Sequence, residues 1–418
     1  MAQKDIILRQ TITGVAAEST PGTHPGSVTR IALVSGSSIV TKATRESVDV
    51  PSESPIRFGV QPHVLGRTMV EWQATIPLRG LVSGDRLSGS GATTVRSHEI
   101  LYKHAFGRRY VAQGTTVSGS GSTTTAVDLS SATGRKVGEV VLIGPYVRTI
   151  TAISTNTITV TPALPSAPAD TTVVRGARGF YLANQRSATL TLEQKIVDVA
   201  GSAEEEHRVL GAFGAMTWAF PQNAALPTMT LKGQAISHAG PAALTSPSWS
   251  LGVSPADDDM GDPLPCYISC EIDGTATVIE PASVKIGVAQ NTTSIGGSTS
   301  SGISGFLDTS GRENGGTVTL EFNVRQDSAY PTAFDAGTIY HVAMLVDPSY
   351  GSGSPTTLSA FLFPRFQLTE RPIPIDVGGG RGGYTLKGVA LPDTLTPESL
   401  TTAEDRDMAW APMRFAIL

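Results

Sequence analysis

Residues Gly378, Gly379, Gly380, Arg381, Gly382 and Gly383 spell a literal G-x-G-x-x-G. Such a run cradles a pyrophosphate only where a helix follows, because the helix N-terminus supplies the donors. Here YTLKG follows, a strand pattern, so the run reads as a glycine-rich hairpin turn. Asp257, Asp258, Asp259 and Asp262 offer oxygen ligands. They lack the alternation, central Gly and distal Glu of a calcium loop, and a solvated connector is the expectation. Cys266 and Cys270 share one face of an extended segment, too far apart to bridge each other. They read as small buried residues in a reducing compartment. The seven histidines form no H-E-x-x-H. His98 and His104 fall on a predicted helix and are expected to be exposed or partly buried. No G-x-S-x-G elbow, P-loop or Cys/His arrangement is present. Asn291-Thr292-Thr293 is a formal glycosylation sequon and reads as a polar loop. The expectation is no catalytic residue, no cofactor and no metal.

The elements that would position any site are strands. In 418 residues, charged side chains make up only 16% while Gly (44) and Pro (27) abound, which suits short strands joined by turns. Alternation marks strands around Val70–Ile76, Leu142–Thr151, Thr157–Thr161, Ala188–Leu192, Thr228–Ala235, Val318–Val324 and Tyr384–Ala390. Ile100, Leu101, His104 and Ala105 predict a helix over 97–106, with Ser97 as its N-cap; 329–335 is a shorter candidate. Glu204–Glu206 is expected at a hairpin tip. Residues 114–125 (GTTVSGSGSTTT) read as a linker or loop, 237–265 as a connector and 291–305 as a mobile loop.

Net charge is -5, with no Lys/Arg cluster, so nucleic acid would be a passenger and not a tightly held ligand. No segment approaches the ~20 apolar residues of a membrane helix, and MAQKDIILRQ has no signal-peptide core. The chain is therefore expected to be made in the cytoplasm and to avoid membranes.

An internal repeat organises the chain. VEWQA (70–74) matches LEFNV (320–324), placing Val70, Trp72 and Ala74 on one strand face, and likewise Leu320, Phe322 and Val324. Tyr102, Ala105 and Phe106 recur as Tyr330, Ala333 and Phe334, and TLKGQA (230–235) recurs as TLKGVA (385–390). The first copy has a surplus, 112–175, with its own strand pattern. It reads as a small β domain inserted in a loop, an elongated hairpin being second choice. The predicted organisation is 1–111 plus 176–240, an insert at 112–175, a connector at 241–265, and a second unit at 266–418.

This order resembles the tail tube proteins of long-tailed (siphovirus-type) bacteriophages. Segments 176–194 and 363–391 are similar to their closing strands, as is 302–324. ILRQTITGVAAESTPGT (7–23) is similar to their N-terminal strand, with Glu18, Thr20, Gly22 and Thr23 in E-x-T-x-G-T. The likeness spans nearly the whole chain outside 112–175. It implies a mainly β fold: tandem tail-tube β-sandwich or barrel units, each with one short flanking helix, plus the inserted β domain on the outer surface.

Neighbouring units in that family complete an inner barrel, and rings stack into a tube. Two units per chain imply a trimer with pseudo-sixfold symmetry; six chains with one decorative domain each is the alternative. Implied partners are further copies of the chain, tape measure, terminator and distal tail proteins, and DNA passing unbound. The location is the virion tail. A slightly acidic balance would help DNA slide past the wall. Glu71, Gln73, Glu321 and Asn323 are expected to face the lumen or a neighbouring subunit, with ordinary solvated strand positions as the competing reading. The 378–383 hairpin would reach the next ring. Other expectations are a capsid decoration or baseplate/adhesin protein and, from a different class, a polysaccharide-degrading β enzyme. The 6% aromatic content is low for sugar stacking.

Overall fold

A computed structural model of the chain describes residues 10–31, 33, 39–49, 63–78, 97–182, 189–197, 203–220, 227–242, 267–289, 293–294, 298–299, 302–303, 307–308, 317–325, 329–346, 358–376 and 382–418. The fold is mainly β, in antiparallel sheets, with three helices among the described residues: α1 (Ser97–Phe106), α2 (Ala329–Asp335) and α3 (Ala403–Trp410). Asp257–Asp259, Asp262, Cys266, Asn291 and Gly378–Arg381 lie outside the described residues.

Period-two alternation builds the first layer. Strand His63–Pro77 buries Val70, Trp72, Ala74 and Ile76 and exposes Glu71 and Gln73. Its neighbours follow by antiparallel pairing, in the order Val40–Asp49, His63–Pro77, Thr228–Ala235, Ala203–Ala219, Ile279–Val288, Val318–Arg325, Gly382–Ala390. The last strand pairs at one end with Ser359–Leu368 and at the other with Pro374–Asp376.

The second layer runs Gly107–Ala112, Ala177–Leu182, Arg414–Ile417, Ser359–Leu368, Ile339–Val346, Ile268–Ile272. The short C-terminal strand therefore sits between the two halves of the chain. The layers meet in one core: Trp218 of the first lies 5.5 Å from Phe361 of the second, which lies 4.8 Å from Phe415, ring centre to ring centre.

Helix α1 closes one end of this core with Leu101, Tyr102, Ala105 and Phe106 fully buried. Its counterpart α2 packs Tyr330, Ala333 and Phe334 against the same core. Ser97 is the first residue of α1 and not the residue before it. His98 and His104, expected at least partly exposed, are both buried, because α1 is enclosed on nearly every side.

Residues 115–174 form a separate six-stranded sheet. Its outer strands meet through the Val117–Leu129 bridge and the bonds Ser118 N to Asp128 O and Ser130 N to Thr116 O, closing a small barrel. Val127, Val141, Ile143, Ile150, Ile158 and Val160 fill it. Its stems leave from Ala112 and Ala177, which face each other on adjacent strands. Within the barrel, the single strand expected over Leu142–Thr151 is two strands, Val140–Ile143 and Tyr146–Ser154, because Gly144 (φ 58°) turns the chain between them.

Of the two readings of 114–125, the loop holds and the linker does not: the stretch belongs to this barrel, where Gly119 N donates to Asp170 and Asp128 N to Ser122 Oγ. Glu205 and Glu206 lie within strand Ala203–Ala219, opposite Ile196 and Lys195, and not at a hairpin tip. The 291–305 segment contains strand pairs, Thr293–Ser294 with Leu307–Asp308 and Ser298–Thr299 with Gly302–Ile303.

Candidate functional site

The feature that invites a functional reading is the solvent face of the first layer and the way its strands repeat. Strands Val40–Asp49, His63–Pro77, Thr228–Ala235 and Ala203–Ala219 come from the first half. Ile279–Val288, Val318–Arg325, Gly382–Ala390 and the Ser359–Asp376 stretch take the same places in the second. The matched segments found in the sequence are hydrogen-bonded neighbours in both halves: VEWQA pairs with TLKGQA, and LEFNV with TLKGVA. The registers differ by two residues. Glu71 faces Gln234, whereas its counterpart Glu321 faces Lys387, the counterpart of Lys232. A slip of two leaves every side chain on its original face.

The motif glycine has a physical cause. A Cβ at Gly233 would lie 1.9 Å from the Phe213 carbonyl oxygen, and one at Gly388 would lie 2.1 Å from that of Gln367. In both halves, then, the TLKG strand passes too close to a neighbouring strand for any side chain. The Trp72 indole caps the first of these crossings, donating to Phe213 O and Gln234 O.

Pairing also exposes a repeated element that the sequence comparison missed. Lys42 stands opposite Glu71, and Lys285 stands opposite Glu321 with Nζ to Oε1 at 2.7 Å. Only a lone Lys marks these strands, too little for detection from sequence.

Glu71 and Gln73 are exposed, and Glu321 and Asn323 are half-buried, all on the polar face. Asn323 is tied in place: its Nδ2 donates to Glu280, Thr385 donates to its Oδ1, and its backbone N–H donates to Ser283 Oγ. Lys42, Lys232, Lys285, Arg325 and Lys387 are exposed on the same face, alongside Glu71, Glu280, Glu321 and Glu370. Among the described residues the face is thus close to charge-balanced. The carboxylate of Glu370 holds Lys387 above the usual lysine range. Gly382 and Gly383 begin strand Gly382–Ala390 opposite Asp376 and Ile375, so the glycine run joins two paired strands. Pro372 and Pro374 remove two N–H donors from the outermost segment, which blunts that edge.

Other buried charges are held by structural partners. Glu18 of the E-x-T-x-G-T segment is 4% exposed and accepts four bonds, from Gly22 N, Gly211 N, Thr189 Oγ1 and Thr191 Oγ1, at 2.6–2.8 Å. Thr23 N closes the adjoining turn onto Thr20 O. Glu99 of α1 pairs with Arg178 and Arg109. Cys270 is buried, which pushes its thiol well above the usual range. No group of three or more His, Cys, Asp or Glu stands together as a metal site among the described residues. No protein-family model and no curated protein matches this chain.

Proposed function

We propose that this chain is a structural, non-enzymatic subunit of the tail tube of a long-tailed bacteriophage, polymerising into stacked rings that form a channel for DNA. One observation carries the self-assembly part: the two four-strand units join head to tail, the Ala203–Ala219 strand of the first onto the Ile279–Val288 strand of the second. A head-to-tail junction is heterologous, so it leaves an edge at each end, and among the described residues Val40–Asp49 and Pro374–Asp376 each pair on one side only. Repetition of that contact between chains closes a ring or winds a filament. Blunting by Pro372 and Pro374 would restrain such an edge before assembly.

Two units per chain favour a trimer with pseudo-sixfold symmetry, with a hexamer as the alternative. The likeness of 7–23, 176–194, 302–324 and 363–391 to tail tube strands supplies the identity of the assembly. The balanced polar face suits a wall that neither grips nor repels a passing polyanion strongly. On this reading the polar face lines the lumen. The partners are tape measure, terminator and distal tail proteins, and the location is the virion tail after synthesis in the host cytoplasm. No described helix is long and apolar enough to cross a membrane.

Negative-stain microscopy of the purified chain tests the reading. Rings or tubes with a central hole are expected; a monodisperse monomer at every concentration and salt would overturn it.

A further inference from the structure

We infer that the inserted barrel is a brace: it clamps the back of the second layer across the junction of the two halves and thereby fixes their relative position.

A closed barrel hung on one loop needs no further contact with its host, yet this one is docked along an apolar seam. Val140, Leu142 and Val147 of the insert pack on Ala343, Leu345, Leu358, Ala360, Leu362, Ala416 and Leu418. As a result, residues Ser359–Phe363 and strand Arg414–Ile417 are buried on both faces, with Phe361, Phe415 and Ile417 turned to the main core and Ala360 and Ala416 to the seam. Without the insert that back face would be a contiguous exposed apolar patch.

The polar contacts around the seam reach the first half, the second half and the C-terminal segment. Tyr110, in the first half, accepts from Val140 N at 2.9 Å. Glu271, in the second half, pairs with the fully buried Arg148 at 2.5 Å. The C-terminal segment contributes Glu398, which accepts from Val137 N at 3.2 Å, and Asp405, which pairs with Lys136 at 2.8 Å. Gly138 (φ 89°) passes so close to α3 that a Cβ would lie 2.6 Å from Met408 O. Arg135 and Glu139 pair with each other and hold this loop in shape. Strand Arg414–Ile417 joins the halves through only four residues, pairing with Ala177–Leu182 on one side and Ser359–Leu368 on the other. Such a short strand depends on packing from both faces, and the insert supplies one of them.

Hydrogen exchange on the full chain tests the brace, and it needs no assembly, so its failure is separable from failure of the tube reading. Leu142→Glu places a charge in the seam from the insert side, and Leu345→Glu does so from the host side. The expected result is at least tenfold faster exchange at Arg414–Ile417 and at the Met216–Ala219 and Lys285–Val288 junction, with protection of Ile158 and Val160 inside the barrel retained. Should Leu142→Glu also unfold the barrel, Leu345→Glu decides by the same readout. Unchanged protection at Arg414–Ile417 and the junction, in a variant whose seam amides have opened, would overturn the brace and leave the insert as decoration.

Discussion

Gly233 and Gly388 meet the same obstacle in the two halves: each presses against a carbonyl oxygen of a neighbouring strand, Phe213 in one case and Gln367 in the other. Gly233→Ala and Gly388→Ala should therefore each force the two strands apart. A loss of about 1–3 kcal/mol is expected for each, the usual range for overpacking. Denaturant midpoints of the two variants check this. A neutral result at either position would break the structural equivalence of the repeats.

Glu18 presents a different kind of dependence. Its carboxylate satisfies donors from the turn at Gly22, from Thr189 and Thr191, and from Gly211. Glu18→Ala would orphan these buried groups and should cost about 3–5 kcal/mol, as when one partner of a buried charged network is removed. Thermal unfolding against the parent chain measures it.

Exposed pairs on the polar face should behave oppositely. Lys285 and Glu321 are both partly solvated, so their ion pair contributes about 0–1 kcal/mol. Glu71→Lys combined with Glu321→Lys should leave the fold intact while slowing DNA delivery, because added cations would hold phosphate. Particles that assemble and deliver DNA at the parental rate would count against a lumen position for this face.

Acid should loosen the seam. His341 has both ring nitrogens buried, and burial, reinforced by Arg148 and Arg414, lowers its pKa from 6.5 to about 3. The folded state thus keeps the ring neutral where the unfolded chain would protonate it. The stability this protects is complete above pH 6.5 and is lost progressively as the pH falls from there towards 3. The slope is at most about 1.4 kcal/mol per pH unit. His341→Gln should flatten the dependence of urea midpoints between pH 6 and 4; an unchanged slope would assign it to other groups.

Much of the front layer was legible in the sequence, because alternation around Trp72 and Phe322 states both the strand and its buried face. The TLKG glycine was visible as a repeated letter, but its cause lies across the ladder, in a carbonyl that no local pattern reports. The Lys42–Glu71 and Lys285–Glu321 correspondence was illegible for the same reason: only pairing shows it. The 114–125 stretch stayed open between linker and loop because Gly, Ser and Thr serve barrel turns as readily as linkers, and Asp170, a distant residue, decides between them. Burial of His98 and His104 likewise depends on strands remote from α1, which helical periodicity cannot reveal. The docking of the insert had no sequence signal at all, since Arg148 and Glu271, which pair across it, lie 123 residues apart in the chain.

Self-association is the central claim, and direct imaging of the purified chain tests it most directly. Negative-stain micrographs should show stacked rings with an open centre, each ring having three chains and six similar lobes. A chain that remains monomeric, or that forms sheets and clusters with no central hole, would contradict it.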